Sequence, residues 1–203
     1  MAQQVPDWLA RKIPGGLGSG SAAGDTAIAQ VADERRFARG GFALSSPAFS
    51  DGGELDPCFT ADEEDAVAPP LEWTAPPPGA QELAIVVEDI SAGAAPRTHW
   101  LVWGLAPQKG KLLEGEMPPR VGKNGAGNSE WLLPSIPDGD GPHTYLFQLF
   151  ALELPLTLMP GASRDDLVRQ MDGNVMAASL ATATYAGYEE EDWDEDEDMD
   201  GAD

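Results

Sequence analysis

Three apolar segments rich in β-branched and aromatic residues lie in the middle of the chain. They are ELAIVVED (residues 82–89), THWLVWGL (98–105) and HTYLFQLFAL (143–152). Runs of this length and composition predict strands that are buried in a core. Long connections rich in Gly and Pro, such as APPLEWTAPPPGA and EMPPRVGKNGAGN, separate them. Many strands, long loops and few helices favour a mainly β fold, a β-sandwich with a few peripheral helices.

Two segments have a helical pattern. In GASRDDLVRQMDG, Ser163 is suited to cap a helix whose first turn is acidic, and Gly173 ends it. Near the N-terminus, PDWLARKI predicts a short helix with Trp8, Leu9 and Ile13 on one side. These three side chains are too apolar to remain in water, so we expect them to dock on the domain or on a second subunit.

The patterns divide the chain into three parts. Residues 1–40 form an N-terminal extension, in which the short helix precedes PGGLGSGSAAG, a composition typical of flexible linkers. Residues 41–187 contain the predicted β domain. Residues 188–203 form an acidic tail that we expect to be disordered, because its like charges repel one another and it has few apolar residues to bury.

Charge and cysteine content narrow the possible functions. The formal net charge is −23, of which residues 189–203 contribute −11, so the rest of the chain is acidic as well. Such a surface repels phosphate backbones and anionic lipids, and we therefore expect no nucleic-acid partner. A single cysteine, Cys58, cannot form an internal disulfide. Without a signal-peptide pattern or an 18-residue apolar run, we predict no membrane insertion and a cytoplasmic location.

Both histidines of the chain lie at the start of a predicted strand. His143 and Tyr145 share one face of their strand, and Asp89 and Ser91 share a face at the end of another. If these strand ends converge with His99, the five residues form a polar cluster that can bind a proton-bearing anion near neutral pH. Spacing alone leaves open that the histidines are structural, or that two histidines and Asp89 form a metal-binding face.

In their order and spacing, the segments of the middle domain resemble the phosphatidylethanolamine-binding protein family, in particular its bacterial, Raf-kinase-inhibitor-like members. The similarity includes FALSSPAFSDGGELDPCFTADEE, ELAIVVEDISA, HWLVWGL, GKNGAGN, WLLPSIP, GPHTYLFQLFAL and MDGNVMAASLATATY, and covers nearly all of residues 42–187. The resemblance implies a central β-sandwich with a small anion-binding pocket at one end. It also makes a homodimer an expected assembly, since bacterial members are commonly dimers.

The resemblance further implies which residues line the pocket. In relatives these belong to an Asp-Pro-Asp-x-Pro loop, a His-Trp pair, a Gly-x-His-Arg-Tyr segment and a proline-rich wall. The matching positions here are Asp89, Ser91, His99, Trp100, Trp131, Pro134, Pro137, Gly141, His143 and Tyr145. Ser91 replaces the second carboxylate, which lowers the repulsion that an entering phosphate would meet. Thr144 replaces the arginine and alternates to the face opposite His143.

The predicted function is binding of a small phosphate-like or carboxylate-like anion, including a phospholipid headgroup fragment. No pattern supplies a nucleophile with its base or a cofactor site, so we predict neither turnover nor a cofactor. We expect the two imidazoles to supply the only local positive charge and to strengthen binding as the pH falls from about 8 to 6. The alternatives are a kinase- or protease-inhibitor-type interaction protein, and a metal-assisted enzyme that uses His99, His143 and Asp89.

Overall fold

The computed structural model describes residues 3–17, 20–91, 93 and 95–187, so the predicted acidic tail lies outside the described residues. The described part contains nine strands and three α-helices. The strands are Leu44–Ser45 (β1), Gly53–Glu54 (β2), Leu71–Trp73 (β3), Glu82–Asp89 (β4), Arg97–Leu105 (β5), Gly110–Leu112 (β6), Arg120–Val121 (β7), His143–Leu152 (β8) and Val175–Tyr185 (β9). The helices are Asp7–Ala10 (α1), Ala27–Val31 (α2) and Arg164–Met171 (α3). Among them, none is long and apolar enough to cross a membrane.

The strands form two sheets, which confirms the mainly β prediction. The larger sheet has the order β2-β9-β8-β4-β5-β7, and the smaller one has the order β1-β3-β6. The three strands predicted from the apolar runs are neighbours at the centre of the larger sheet, and they pair antiparallel. Asp89 at the end of β4 pairs with Arg97 on one side and with Tyr145 on the other. The last residue of β4 and the first residues of β5 and β8 therefore meet at one edge of the fold.

Both faces of the larger sheet are buried, which explains why its central strands are apolar without interruption. Ile85 and Val87 pack in the core between the two sheets. Val86, which points to the opposite face, packs in a second core with Leu9 of α1 and Leu167 of α3. The N-terminal extension thus covers the outer face of the sheet, and the predicted docking of its apolar side chains is on the domain itself.

Buried polar side chains anchor this N-terminal segment. Glu88 is fully buried and accepts hydrogen bonds from Ala27 N at 2.8 Å, Gln148 Nε2 at 2.7 Å and Arg164 Nε at 2.6 Å. Gln148 in turn accepts from Ile28 N at 2.7 Å. These acceptors satisfy backbone groups at the start of α2 that have no partner within the helix.

The prediction of a flexible linker over residues 14–24 is wrong for the last of these residues. Ala22 and Ala23 are buried, and Ala22 N donates to Ile90 O at 3.0 Å. A Cβ on Gly24 would lie 2.0 Å from Gln3 O, so the neighbouring backbone approaches too closely for any other residue. The small residues that are typical of a linker serve here for close packing.

The helix predicted after residue 163 is present with its cap. The Ser163 hydroxyl accepts from Asp166 N at 3.1 Å, and the Asp166 carboxylate accepts from Ser163 N at 3.4 Å. This reciprocal pair is a capping box. It fixes the start of α3, whose residues Leu167 and Met171 are fully buried in the outer core.

Candidate functional site

A small cavity lies at the edge where the end of β4 meets the starts of β5 and β8. Its volume is about 130 Å³. Its lining consists of Asp89, Arg97, His99, Leu133, Ser135, Pro137, Asp140 and His143. The structure therefore brings both histidines and Asp89 to one cavity, the arrangement that the family resemblance implies and that spacing alone left open.

A β-bulge positions His99. Val87 pairs with Trp100 and Glu88 with Thr98, so one extra residue of β5 lies between these two pairs. A bulge of this kind interrupts the strict alternation of side chains and re-aims one of them. As a result His99 contacts the aromatic rings of Trp131 and Tyr145 in the inner core, on the same side as Trp100.

Asp89 holds His143 in one orientation. Its Oδ2 accepts from His143 Nδ1 at 2.7 Å, and its Oδ1 accepts from Ser91 N at 2.8 Å. The Ser91 hydroxyl accepts from Thr144 N at 2.9 Å. Ser91 is therefore a positioning residue rather than part of the lining. Because a carboxylate only accepts, His143 Nδ1 carries the proton, and Nε2 lies 3.6 Å from Asp140 Oδ2.

The hydrogen bonds of His99 fix its tautomer as well. Its Nδ1 lies 2.6 Å from Leu132 O, and since a carbonyl oxygen only accepts, this nitrogen is the donor. Nε2 of the neutral ring is then an acceptor, and it is buried without a partner among the described residues. The pKa of His99 is lowered to about 4, mainly by burial. The hydrogen bond to Leu132 and the Asp89 carboxylate oppose this shift, whereas Arg97 and His143 add to it.

The expected charging of both histidines between pH 8 and 6 is therefore wrong for His99. A ring with a pKa of about 4 remains neutral across this interval. Removal from water disfavours the charged imidazolium more strongly than the nearby Asp89 carboxylate favours it. Sequence position alone gives no measure of this burial.

Tyr145 lies behind the cavity. Its ring packs edge-on against His99, with ring centroids 5.1 Å apart. Its hydroxyl is buried and has no hydrogen-bond partner among the described residues. Burial strongly raises the pKa of this phenol, and the Asp89 carboxylate adds to the effect, so the hydroxyl stays a neutral donor.

Two charged residues at the cavity were missed by the sequence reasoning. Arg97 lines it, so the expectation that the imidazoles supply the only positive charge is wrong. Asp140 lines it too and supplies a second carboxylate at the cavity. Arg97 lies two residues before His99, a spacing that places side chains on one face of a strand and was available in the sequence. Asp140 lies in a turn of PDGDGP, where no periodicity applies.

Other predicted residues lie away from the cavity. Trp100 and Trp131 line a separate, mostly apolar groove of about 490 Å³. Trp131 contacts both His99 and Trp100, so it forms part of the partition between groove and cavity. Pro134 is buried and its carbonyl accepts from Ala61 N, while Gly141 is exposed and does not line the cavity.

The geometry gives no support to the metal-assisted alternative. Within the described ranges, no group of three His, Cys, Asp or Glu side chains is arranged to hold a metal ion. His99 and His143 both use Nδ1 for hydrogen bonds to protein oxygens. Asp89 has both of its oxygens engaged, with His143 and with the Ser91 amide.

The chain and its fold are similar to those of several known proteins. A profile of the family described as phosphatidylethanolamine-binding protein matches residues 45–186. The chain is 33% identical over 149 residues to a UPF0098 protein of Methanothermobacter thermautotrophicus, which covers 70% of this chain and 97% of that protein. A crystal structure of a phosphatidylethanolamine-binding protein homologue from Chlamydia trachomatis matches with a TM-score of 0.68 and 29% identity, over 72% of this chain and 98% of that one. Escherichia coli YbcL shares the fold, with a TM-score of 0.65 and 21% identity over 72% and 99% of the two chains.

Proposed function

Since the chain belongs to the phosphatidylethanolamine-binding protein family, we propose that its cavity at the end of β4 binds a small anion. The anion is of the phosphate or carboxylate type, and the headgroup part of a phospholipid is one source of such a group. Family membership supports this function, and the cavity residues supply the chemistry for it.

Arg97 is the observation that carries the proposal. Its side chain lines the cavity and is exposed at the mouth. The guanidinium forms no hydrogen bond or ion pair with any of the described residues. Five N–H donors in a planar fork match the oxygens of a phosphate or carboxylate, and here they are available to a ligand.

The size of the cavity restricts the ligand. About 130 Å³ equals roughly four water molecules, since each occupies about 30 Å³ in the liquid. Sites for drug-sized molecules are larger, about 300–1,000 Å³. A phosphate or carboxylate group fits in this space, whereas the remainder of a larger molecule would lie outside it.

The test is direct titration of the full chain. Inorganic phosphate, phosphoethanolamine and acetate are added separately, and binding is followed by calorimetry and by the NMR signals of the two imidazoles. Saturable shifts of the His99 and His143 signals are expected with at least one of the three. Signals that stay constant with every anion, up to concentrations of tens of millimolar, would refute anion binding at this cavity.

The other roles considered stay predictions. Among the described residues, no feature selects a kinase or a protease as a partner. None selects a second copy of the chain either. Binding in the cytoplasm is likewise a prediction from the sequence. In the part of the chain that the structure describes, no serine, threonine or cysteine is hydrogen-bonded to a histidine, so turnover is not part of the proposal.

A further inference from the structure

The interior of the cavity presents acceptors to a ligand. Nδ1 of His99 is committed to Leu132 O, so the atom of this ring that remains for a ligand is the unpartnered acceptor Nε2. Nδ1 of His143 is committed to Asp89, and its Nε2 faces the Asp140 carboxylate. A fully deprotonated anion placed there would bring its lone pairs against those of His99 Nε2.

An unpartnered donor lies at the edge of the same space. The Arg97 guanidinium stands at the mouth without an acceptor among the described residues. The cavity therefore calls for a group that accepts from an arginine and also donates to an imidazole.

We infer that the ligand binds as an acid that retains a proton, and that its O–H group donates a hydrogen bond to His99 Nε2 while its other oxygens accept from Arg97. This inference rests on the proposed function, since it specifies the ionisation state of the same anion. A phosphomonoester in its monoanionic form, R–O–PO₂(OH)⁻, has the required P–OH donor and two anionic oxygens. No bond forms or breaks, and the shared proton stays on the ligand oxygen.

Charge in the cavity favours the same ionisation state. The charged and titratable groups around His99 are Asp89, Arg97, His143 and Tyr145, with Asp140 across the cavity. The cavity is lined by two carboxylates, Asp89 and Asp140, but by only one guanidinium, Arg97. A dianion meets more repulsion from these carboxylates than a monoanion does. An ammonium group would suit the acceptors but would leave Arg97 facing another cation.

Sulfate provides the sharpest test, because it matches phosphate in size and geometry but carries no proton near neutral pH. In calorimetric titrations of the full chain at pH 6, we expect sulfate to bind roughly 100-fold more weakly than inorganic phosphate, since a buried acceptor rejects a ligand that lacks its donor. Dimethyl phosphate is a monoanion without a P–OH group and should bind as poorly as sulfate does. Methylammonium, the cationic alternative, should not compete with phosphate.

The pH profile of the ligand distinguishes its proton from a proton on His99. Affinity for methyl phosphate should fall about tenfold per pH unit above its second pKa of about 6, where the monoanion disappears. Methylphosphonate has a higher second pKa. Its affinity profile should therefore shift to higher pH by the difference between the second pKa values of the two ligands. If a charged His99 were the binding form, the two profiles would coincide and sulfate would bind well at low pH.

The variant His99→Ala removes the acceptor and should narrow the phosphate-to-sulfate ratio by about tenfold or more. Thermal unfolding checks that this variant is folded, and if it is not, the comparison of ligands on the unmodified chain decides alone. Equal affinity for phosphate and sulfate would overturn the inference but leave anion binding intact. Competition by methylammonium would overturn the inference as well. Absence of binding by every anion would instead refute the proposed function.

Discussion

His143 Nδ1 donates to Asp89 Oδ2 over 2.7 Å, although 54 positions separate the two residues. Both side chains are almost completely buried, with 7% and 3% of their surface exposed. Antiparallel pairing of β4 with β8 places Asp89 opposite Tyr145, next to His143 on the same strand face. The sheet thus assembles the pair, and the pair fixes the ring at the cavity.

Replacing Asp89 with Ala should destabilise the fold strongly. The change leaves His143 Nδ1 and the Ser91 amide without their acceptor, and each buried donor left unsatisfied costs about 1–3 kcal/mol. Urea unfolding measures this loss of unfolding free energy. Asp138→Ala, in the exposed turn before β8, is the control and should cost less than about 0.5 kcal/mol. A loss below about 1 kcal/mol for Asp89→Ala would contradict the assigned pair.

Arg97→Ala should weaken phosphate binding by about 10- to 100-fold, the range expected for a hydrogen bond to a charged group. The fold should be little affected, because Arg97 is exposed and makes no bond with the described residues. Calorimetric titration gives the two dissociation constants. Arg35→Ala removes the same charge from an exposed site outside the cavity and should leave the affinity within about twofold. Equal losses in both variants would indicate a general effect of net charge instead.

The free energy of unfolding should decrease as the pH falls, because His99 is held neutral in the folded chain. The unfolded chain takes up a proton there below a pH of about 6.5, whereas the folded chain, with a pKa of about 4, does not. The contribution of His99 is therefore complete above pH 6.5 and is lost as the pH falls towards 4, with a slope of at most about 1.4 kcal/mol per pH unit. Urea unfolding at pH 7 and pH 5 should show a smaller loss for His99→Gln, which cannot titrate. Parallel losses in both proteins would speak against a neutral, buried His99.

Glu88→Ala should be among the most destabilising changes outside the cavity. It removes the acceptor of Ala27, Gln148 and Arg164 at a fully buried position, at a cost on the order of 3–5 kcal/mol. The matched control is Glu34→Ala, which breaks an ion pair with Arg11 whose side chains are more than half exposed. Such exposed pairs contribute about 0–1 kcal/mol. Similar melting temperatures for the two variants would refute the anchoring role of Glu88.

Leu9→Ala tests the docking of the N-terminal helix. Leu9 is fully buried in the outer core, and a Leu-to-Ala change at such a site costs about 2–5 kcal/mol. Leu154→Ala makes the same chemical change at a side chain that is 59% exposed, where little cost is expected. Chemical unfolding of both variants gives the comparison. If Leu9→Ala unfolds at the same urea concentration as Leu154→Ala, α1 does not pack on the sheet in solution.

The central strands were predictable because their burial on both faces leaves continuous apolar runs. The predicted segments 82–89, 98–105 and 143–152 differ from β4, β5 and β8 by a single residue at the start of β5. The cap of α3 was predictable for a similar reason, since Ser163 and the acidic first turn are local signals. Local chemistry and periodicity sufficed where neighbouring residues determine the structure.

The remaining features depend on contacts between distant residues. The bulge at His99 breaks the alternation from which side-chain direction is inferred, and the burial of Ala23 is invisible in a segment with linker composition. β9, which pairs with β8 along its whole length, is rich in Ala and Thr and lacks the strong apolar signal of its neighbour. The resemblance to a known family supplied the convergence of His99, His143 and Asp89, which spacing alone left open.

Residues 3–31 are synthesised well before the groups that hold them. Ala27 bonds to a side chain 61 positions further along, Ile28 to one 120 positions further, and Asp25 O to Arg164, 139 positions further. Until α3 has emerged, the apolar side chains of this segment have no complete surface to cover. Contacts of such long sequence separation form slowly, because the entropy of closing a large loop is lost before the contacts contribute favourable free energy. This N-terminal segment, although synthesised before its partners, is therefore among the last parts of the domain to reach its native position.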